Sequence, residues 1–121
     1  LGMNIFFQLN KQLAELIKNQ NYESKIHEIH HLEKLDSPSG TAKTLARDLQ
    51  EIFKKEVRIT AEREENVAGI HSVIYSSAED EIEIKHIAKN RDGFAIGALI
   101  AAKWILGKKG IFSMKDVLKI Q

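Results

Sequence analysis

Residues 28–42 read EIHHLEKLDSPSGTA, and this stretch decides how the rest of the chain is interpreted. It places two adjacent histidines, His30 and His31, and then Lys34 ahead of a Pro-Ser-Gly-Thr turn. Histidine and lysine side chains supply positive charge and transferable protons. A Gly-Thr step at the start of a helix leaves backbone N–H groups that can point at a carboxylate or phosphate. The stretch therefore predicts an anion site between the end of a strand and the start of a helix.

The N-terminal half of the chain has helical and strand-like spacing on either side of this stretch. The periodicity of Ile5, Leu9, Leu13 and Leu16 is typical of a helix, with Phe6 and Ile17 beside this stripe. We expect a first helix at residues 3–19, a strand at 22–31 and a second helix carrying the apolar stripe of 42–53. Ser37 or Ser39 could cap the second helix, and Pro38 would be tolerated in its first turn.

The C-terminal half contains three further strand candidates and two helix candidates. The strands are expected at residues 56–60, 70–76 and 81–88, and Ala78-Glu79-Asp80 between the last two suggests a hairpin turn. Residues 94–106 predict a helix that is apolar nearly all round, so we expect it to be buried or to lie at a subunit contact. Ser113 caps a last short helix that ends near Leu118.

These elements together predict the α+β class. We expect a mixed, largely antiparallel sheet of about four strands with helices on one face. Such a sheet leaves its other face to water or to a partner. Since helices cannot cover both faces in a chain this short, the strands at 70–76 and 81–88 are expected to form the contact of a homo-oligomer.

Composition bounds the classes of protein that remain. A chain of 121 residues fits one domain, residues 1–121, with 43% hydrophobic and 29% charged residues. The net charge of +1 excludes a global field that would recruit nucleic acid or an anionic membrane surface. Its longest apolar stretch is far short of the ~20 residues that a membrane span needs. The absence of cysteine excludes disulfides and thiolate metal sites, and it suits a cytoplasmic location.

The central stretch also closely resembles the His-His-x-x-Lys-x-Asp-x-Pro-Ser-Gly-Thr-Ala signature of the dihydrodipicolinate reductase family. Later landmarks of that family's C-terminal domain follow in order, at residues 66–73, 80–86, 91–99 and 101–118. The similarity covers nearly the whole chain. One departure is Ala68, where the family usually has proline before the glycine.

The resemblance implies a role for each matching residue in a substrate-binding and catalytic domain. His30 matches the catalytic histidine that donates or accepts a proton, and Lys34 matches the general acid. His31 matches a substrate-binding histidine. Gly40 and Thr41 match the positions whose backbone and hydroxyl hold a substrate carboxylate, and Ser39 completes this substrate-binding set.

The family's reaction reduces 4-hydroxy-tetrahydrodipicolinate to tetrahydrodipicolinate in lysine and diaminopimelate synthesis, with NADH or NADPH as hydride donor. Arg91 and Phe94 match positions near the nicotinamide, although a surface arginine and a core phenylalanine remain an equally open reading. The glycines of this chain form no G-x-G-x-x-G turn. We therefore expect the dinucleotide-binding domain to be absent from this chain, and the chain alone to be inactive and unable to bind the nucleotide. The resemblance also implies a homotetramer.

One alternative function stays open beside this reading, and two other interpretations of the histidines and the turn are weaker. The chain could be a stand-alone anion-binding or oligomerisation module of the same fold, without redox activity. His27, His30 and His31 could suggest a metal site, with His71 or His86 as further ligands. However, strand geometry places His27 and His30 on opposite faces, so we expect no metal. Residues 39–44 only faintly echo a phosphate loop, since its leading glycine and Gly-Lys-Thr order are missing.

Overall fold

The computed structural model describes residues 1–90 and 92–119. Its described part contains four strands, β1 (Glu23–His30), β2 (Arg58–Arg63), β3 (Gly69–Ser76) and β4 (Glu81–Ala88). They form one sheet in the order β2-β1-β3-β4, in which β1 pairs with β2 in parallel and the other neighbours are antiparallel. The helices are α1 (Gly2–Ile17), α2 (Gly40–Phe53), α3 (Asp92–Trp104) and α4 (Met114–Leu118). The predicted α+β class with a mixed, largely antiparallel sheet is confirmed.

A β1-α2-β2 crossover joins the two parallel strands. Parallel neighbours need a long connection, usually a helix, because the chain must return to the same end of the sheet. This return places the N-terminus of α2 beside the C-terminal end of β1. The crossover therefore brings the two halves of the central stretch, its histidines and its Ser-Gly-Thr turn, to one edge of the molecule.

The core lies between one face of the sheet and the helices α1 and α2. Alternation along β1 and β3 directs every second side chain to these helices, and the largest apolar ones are fully buried. The core centre consists of Ile26, Leu45, Leu49, Val73 and Tyr75. We call this the covered face of the sheet, and the opposite side the open face.

The side of α1 that faces the core is not the apolar stripe predicted from the sequence. Ile5, Leu9 and Leu16 are exposed, while α1 buries the row Met3, Phe6, Asn10, Ala14 and Ile17. Tyr75 explains part of this rotation, because its hydroxyl donates a 2.5 Å hydrogen bond to Asn10 Oδ1 in the core. A polar residue thus marks the buried side of α1, which a purely apolar stripe does not show.

Strand β2 begins two residues later than predicted and extends to Arg63. The predicted start at residue 56 is wrong, because the strand begins at Arg58. Val57 is buried just before it. The parallel register with β1 continues as far as the pair His30–Arg63, and this pairing carries the charged end of the segment into the strand. Pro38 also differs from its predicted place, because Ser39 is the N-cap of α2 and Pro38 precedes the helix.

Helix α3 is not buried within the described part of the chain. Phe94 and Leu99 are 60% and 63% exposed, and several neighbouring apolar side chains are exposed as well. At its C-terminal end the Trp104 ring packs edge-on against Phe112, with ring centroids 5.1 Å apart. Of the two expectations for this helix, burial is wrong within this chain, and an interface role remains a prediction. None of the helices formed by residues 1–90 and 92–119 is long and apolar enough to span a membrane.

Candidate functional site

A row of polar side chains crosses the covered face at the end where β1 stops. Glu28 on β1 lies opposite His71 on β3, and His71 lies opposite His86 on β4. His30 follows Glu28 by two residues and therefore points to the same side. Glu28, His30 and His71 are buried, which is unusual for a carboxylate and two histidines unless each finds a partner.

A cavity of about 490 Å³ opens over this row, and its size suits a small organic molecule. It brings together most of the predicted site residues: His30, His31, Lys34, Ser39, Gly40 and Thr41. Adjacent histidines on a continuing strand would face opposite sides. Because β1 ends at His30, the chain turns there and both histidines line the same cavity.

Glu28 is the centre of the hydrogen-bond network beneath the cavity. Its Oε2 accepts hydrogen bonds from the Ser39 backbone N–H at 3.0 Å and from the Ser39 hydroxyl, and its Oε1 accepts one from Arg63 Nη1 at 3.2 Å. Burial alone raises the pKa of the Glu28 carboxyl. The Ser39 hydrogen bonds, the charge of His30 and the Arg63 hydrogen bond outweigh burial, so this pKa lies below its ordinary value. Glu28 is therefore a buried, ionised carboxylate.

Arg63 ties this carboxylate to the loop that carries Lys34. Its Nε donates to the Lys34 carbonyl at 3.3 Å, and its Nη2 donates to the Asp36 carbonyl at 2.6 Å. In the same loop Lys34 Nζ lies 2.9 Å from Asp36 Oδ1, and the hydrogen bond from Lys34 lowers the pKa of the Asp36 carboxyl. One guanidinium thus fixes the loop on β1, because its planar set of donors reaches the Glu28 carboxylate and the carbonyls of both loop residues at once.

The two buried histidines contact each other and Glu28. The rings of His30 and His71 meet edge to face with centroids 4.9 Å apart, and His71 Nε2 lies 3.2 Å from the Ser39 hydroxyl. Burial lowers the pKa of His71 to about 4, assisted by the charge of His30. Burial also lowers the pKa of His30, whereas the Glu28 charge raises it. His71 is neutral at neutral pH, and His30 can gain a proton when negative charge is added nearby.

The start of α2 forms the other wall of the cavity. The Ser39 side chain caps the helix by accepting from the Ala42 N–H at 3.1 Å, so its hydroxyl is already engaged on both sides. The first amides of a helix have no carbonyl partner within it, which leaves those of Gly40 and Thr41 for a ligand. Space beside Gly40 is open, since a Cβ placed there would meet nothing within 4 Å. Gly69 is different: a Cβ there would lie 3.2 Å from His30 Nε2.

The structure groups a different set of possible metal ligands from the histidines considered in the sequence. His27 lies on the open face, where its Nδ1 is 2.5 Å from Thr60 Oγ1. Within the described residues, Glu28, His30 and His71 offer ligand atoms within 4.8 Å of one another. The Arg63 guanidinium contacts the same carboxylate and would repel a cation there. The Glu28 carboxylate is therefore already neutralised by Arg63, which disfavours a metal ion on this set.

The two predicted nicotinamide contacts have different outcomes. Phe94 lines the cavity at the start of α3 with its ring largely exposed, which gives a flat apolar surface at the mouth of the site. Arg91 lies outside the described residues.

Comparison with known proteins identifies the family. The family model described as "Dihydrodipicolinate reductase, C-terminus" matches residues 2–118. The chain belongs to this family. The dihydrodipicolinate reductase match includes every residue of the cavity described above.

Curated relatives named 4-hydroxy-tetrahydrodipicolinate reductase cover nearly all of the chain. One from Christiangramia forsetii is 51% identical over 98% of this chain and 55% of its own length. Another from Aquifex aeolicus is 40% identical over 98% of this chain and 51% of its own length. The chain thus spans about half the length of these relatives.

A solved structure has the same fold. It is described as dipicolinate-bound dihydrodipicolinate reductase from Paenisporosarcina sp. TG-14, with a TM-score of 0.68 and 22% identity, over 98% of this chain and 48% of that one. At this level of identity the likeness concerns the fold of the domain.

The sequence alone assigns no catalytic or substrate-binding role to three residues of the site, Glu28, Arg63 and His71. Glu28 stands inside the central stretch, and the alternation Ile26-Glu28-His30 already indicated that its side chain shares a face with a buried isoleucine. Arg63 was hidden in a charged segment whose register with β1 is not visible in the sequence. His71 was considered only as a metal ligand, and its place depends on the pairing of β1 with β3.

Proposed function

We propose that this chain is the substrate-binding and catalytic domain of a 4-hydroxy-tetrahydrodipicolinate reductase. The observation that carries the proposal is the cavity in which His30, His31 and Lys34 face the open start of α2. A cyclic dicarboxylate has two negative groups that need cationic and N–H partners, and this cavity offers both kinds. The Paenisporosarcina structure is likewise described with dipicolinate, a dicarboxylate, bound to that protein.

In this proposal His31, Ser39, Gly40 and Thr41 form the substrate-binding set, within which Ser39 acts indirectly. The amides of Gly40 and Thr41 receive one carboxylate, His31 stands across the cavity, and Ser39 acts by holding the helix start in place. His30 donates or accepts the proton, and Lys34 is the general acid, since departure of a hydroxyl group as water needs a positioned proton. Lys34 would exchange its ion pair with Asp36 for the substrate.

NADH or NADPH would supply the hydride, so that one hydride and one proton enter as one water leaves. Within this chain the exposed Phe94 ring is placed to pack against a nicotinamide at the mouth of the cavity. A role for Arg91 beside the nicotinamide rests in this proposal only on the family resemblance. We propose that the phosphates are bound by a separate dinucleotide-binding domain, because the glycines of this chain form no phosphate-cradling turn.

Assembly as a homotetramer in the cytoplasm completes the proposal. The open face carries Ile29, Ile70 and Ile74, which are half-buried, and Ile87, which is 56% exposed. A sheet face of this kind is an association surface. Light scattering over a concentration series should give a tetramer, and Ile87→Glu should lower the oligomeric state. A monomer at high concentration of the unmodified chain would contradict this part of the proposal.

Calorimetry with pyridine-2,6-dicarboxylate, a planar mimic of the substrate, tests the binding role. We expect the chain to bind this ligand and Lys34→Ala to weaken binding about tenfold or more, because a charge-assisted contact is lost. Lys55→Ala is the matched control, since it removes the same charge at the far end of α2. Equal affinities of Lys34→Ala and Lys55→Ala would refute the role of Lys34. Binding without any reductase activity, when a dinucleotide-binding domain is also present, would favour the stand-alone anion-binding module.

A further inference from the structure

The Glu28 carboxylate is completely buried, and both of its oxygens face specific partners. Oε2 is held by the backbone and side chain of Ser39, at the start of α2. Oε1 is held by Arg63 and also faces His30 Nδ1 at 3.6 Å. One side chain thus connects the two walls of the cavity, the histidine wall at the end of β1 and the amide wall at the start of α2.

His30 Nδ1 is the second part of the observation. The His30 side chain is 9% exposed, and within the described residues its Nδ1 has no hydrogen-bond partner. A neutral imidazole can leave one nitrogen unprotonated, but an imidazolium has N–H groups on both nitrogens. Buried N–H groups need acceptors, and a gap of 3.6 Å can close to a hydrogen bond when a ligand enters an active site. Glu28 Oε1 is placed to be that acceptor.

Among the described charged groups around His30, Glu28 is the one that carries a negative charge. The other groups near His30 are Arg63 on β2, Lys34 in the loop after β1 and His71 on β3. His86 lies beyond His71 on β4. All of these groups are cationic or can become so. Glu28 is the single anion in the set, so its charge alone opposes burial and repulsion when His30 is protonated.

We propose that Glu28 is a positioning residue, whose buried carboxylate fixes the His30 ring relative to the helix start and accepts the Nδ1–H when His30 carries a proton. Glu28 acts through His30 and Ser39 and does not contact the ligand. The purpose of this arrangement rests on the proposed function, because a proton on His30 matters only if His30 serves the reaction. The arrangement itself can be tested without turnover.

The test is a histidine titration of the chain by NMR over about pH 3 to 8, with the Cε1–H resonance of His30 assigned in each variant. In Glu28→Gln we expect the titration midpoint of His30 to move to lower pH than in the unmodified chain. Glu62→Gln is the matched control, because Glu62 lies 3.6 Å from His27 on the open face and its removal should leave His30 unchanged. An unchanged His30 midpoint in Glu28→Gln would overturn the proposal.

A second variant keeps the test decisive if Glu28→Gln fails to fold. Glu28→Asp retains the charge but withdraws the carboxylate by one methylene, so the His30 midpoint should again fall, by less. If Glu28→Asp leaves that midpoint unchanged, the proposal is overturned. Dicarboxylate calorimetry separates the two proposals. A lowered His30 midpoint in a chain that does not bind the dicarboxylate would leave Glu28 as the positioning residue and refute the proposed function. Normal dicarboxylate binding with an unchanged His30 midpoint would leave the proposed function standing and refute the positioning role of Glu28.

Discussion

The covered face of the sheet is apolar at one end and charged at the other, although the same strands build both ends. Ile26 and Glu28 are two residues apart on β1, and both are completely buried. Around Ile26 the neighbours are aliphatic and aromatic, and burial itself stabilises the fold. Around Glu28 every buried charge needs a partner, and such a network adds little net stability. Under the proposed function the charged end serves binding, while the apolar end holds the domain together.

Breaking the apolar end should have the largest effect on stability. Leu45 on α2 is completely buried, so Leu45→Ala removes apolar contacts and leaves a cavity. We expect a loss of about 2–5 kcal/mol in the free energy of unfolding, measured by urea denaturation. Leu16→Ala is the control, because Leu16 is also helical but 78% exposed. An equal loss in both variants would show that the core does not lie where the structure has it.

The charged end should make stability depend on pH. His71 has an ordinary pKa of 6.5 that burial lowers to about 4, so the unfolded chain binds a proton that the folded chain does not in this range. The free energy of unfolding is therefore highest above pH 6.5 and decreases as the pH falls towards 4. We expect a loss on the order of 3 kcal/mol. Unfolding free energies measured over this range should depend less on pH in His71→Gln, and an unchanged dependence would contradict the assignment.

A substitution at the helix start should separate binding from stability. Gly40 is the first residue of α2 with open space beside it, so Gly40→Ala puts a methyl group into the cavity without a clash. Affinity for pyridine-2,6-dicarboxylate should fall about tenfold or more, a difference of about 1.4 kcal/mol. The melting temperature should hold or rise, because alanine is the better helix former. A variant that binds as before would show that the ligand does not approach this amide.

An exposed ion pair gives the smallest expected effect and sharpens the contrast with Glu28. Lys55 Nζ lies 3.8 Å from Glu23 Oε2, and both side chains are at least half exposed. Lys55→Ala should change the free energy of unfolding by less than about 0.5 kcal/mol, because exposed pairs are screened by water and salt. A much larger loss in urea denaturation would mean that this surface pair is structural.

The class of fold and much of the site were predictable because their signals are local. The strand-turn-helix stretch around Lys34 specifies its own ends, through the apolar alternation of β1 and the Ser39 cap. The hairpin between β3 and β4 was likewise found from its turn residues. Local signals also placed the predicted binding residues in one cavity, since they are consecutive along the chain.

What the sequence did not reveal depends on strand register and on helix rotation. Arg63 reaches Glu28 only because β2 pairs with β1 so that Arg63 stands beside His30. His71 meets Glu28 through the antiparallel pairing of β3, and no local pattern specifies that register. The buried side of α1 depends on Asn10 meeting Tyr75, a contact between residues far apart in the sequence. The apolar composition of α3 predicted either burial or a subunit contact, and composition alone could not decide between the two.

The central claim is that the charged end of the covered face binds a dicarboxylate between the histidines and the start of α2. Amide chemical shifts of the chain, followed by NMR during addition of pyridine-2,6-dicarboxylate, test it most directly. The account predicts that the largest saturable shifts occur at the amides of Gly40 and Thr41, with further shifts at His31 and Lys34. Saturable shifts confined to the open face, or none in this cavity at high ligand concentration, would contradict it.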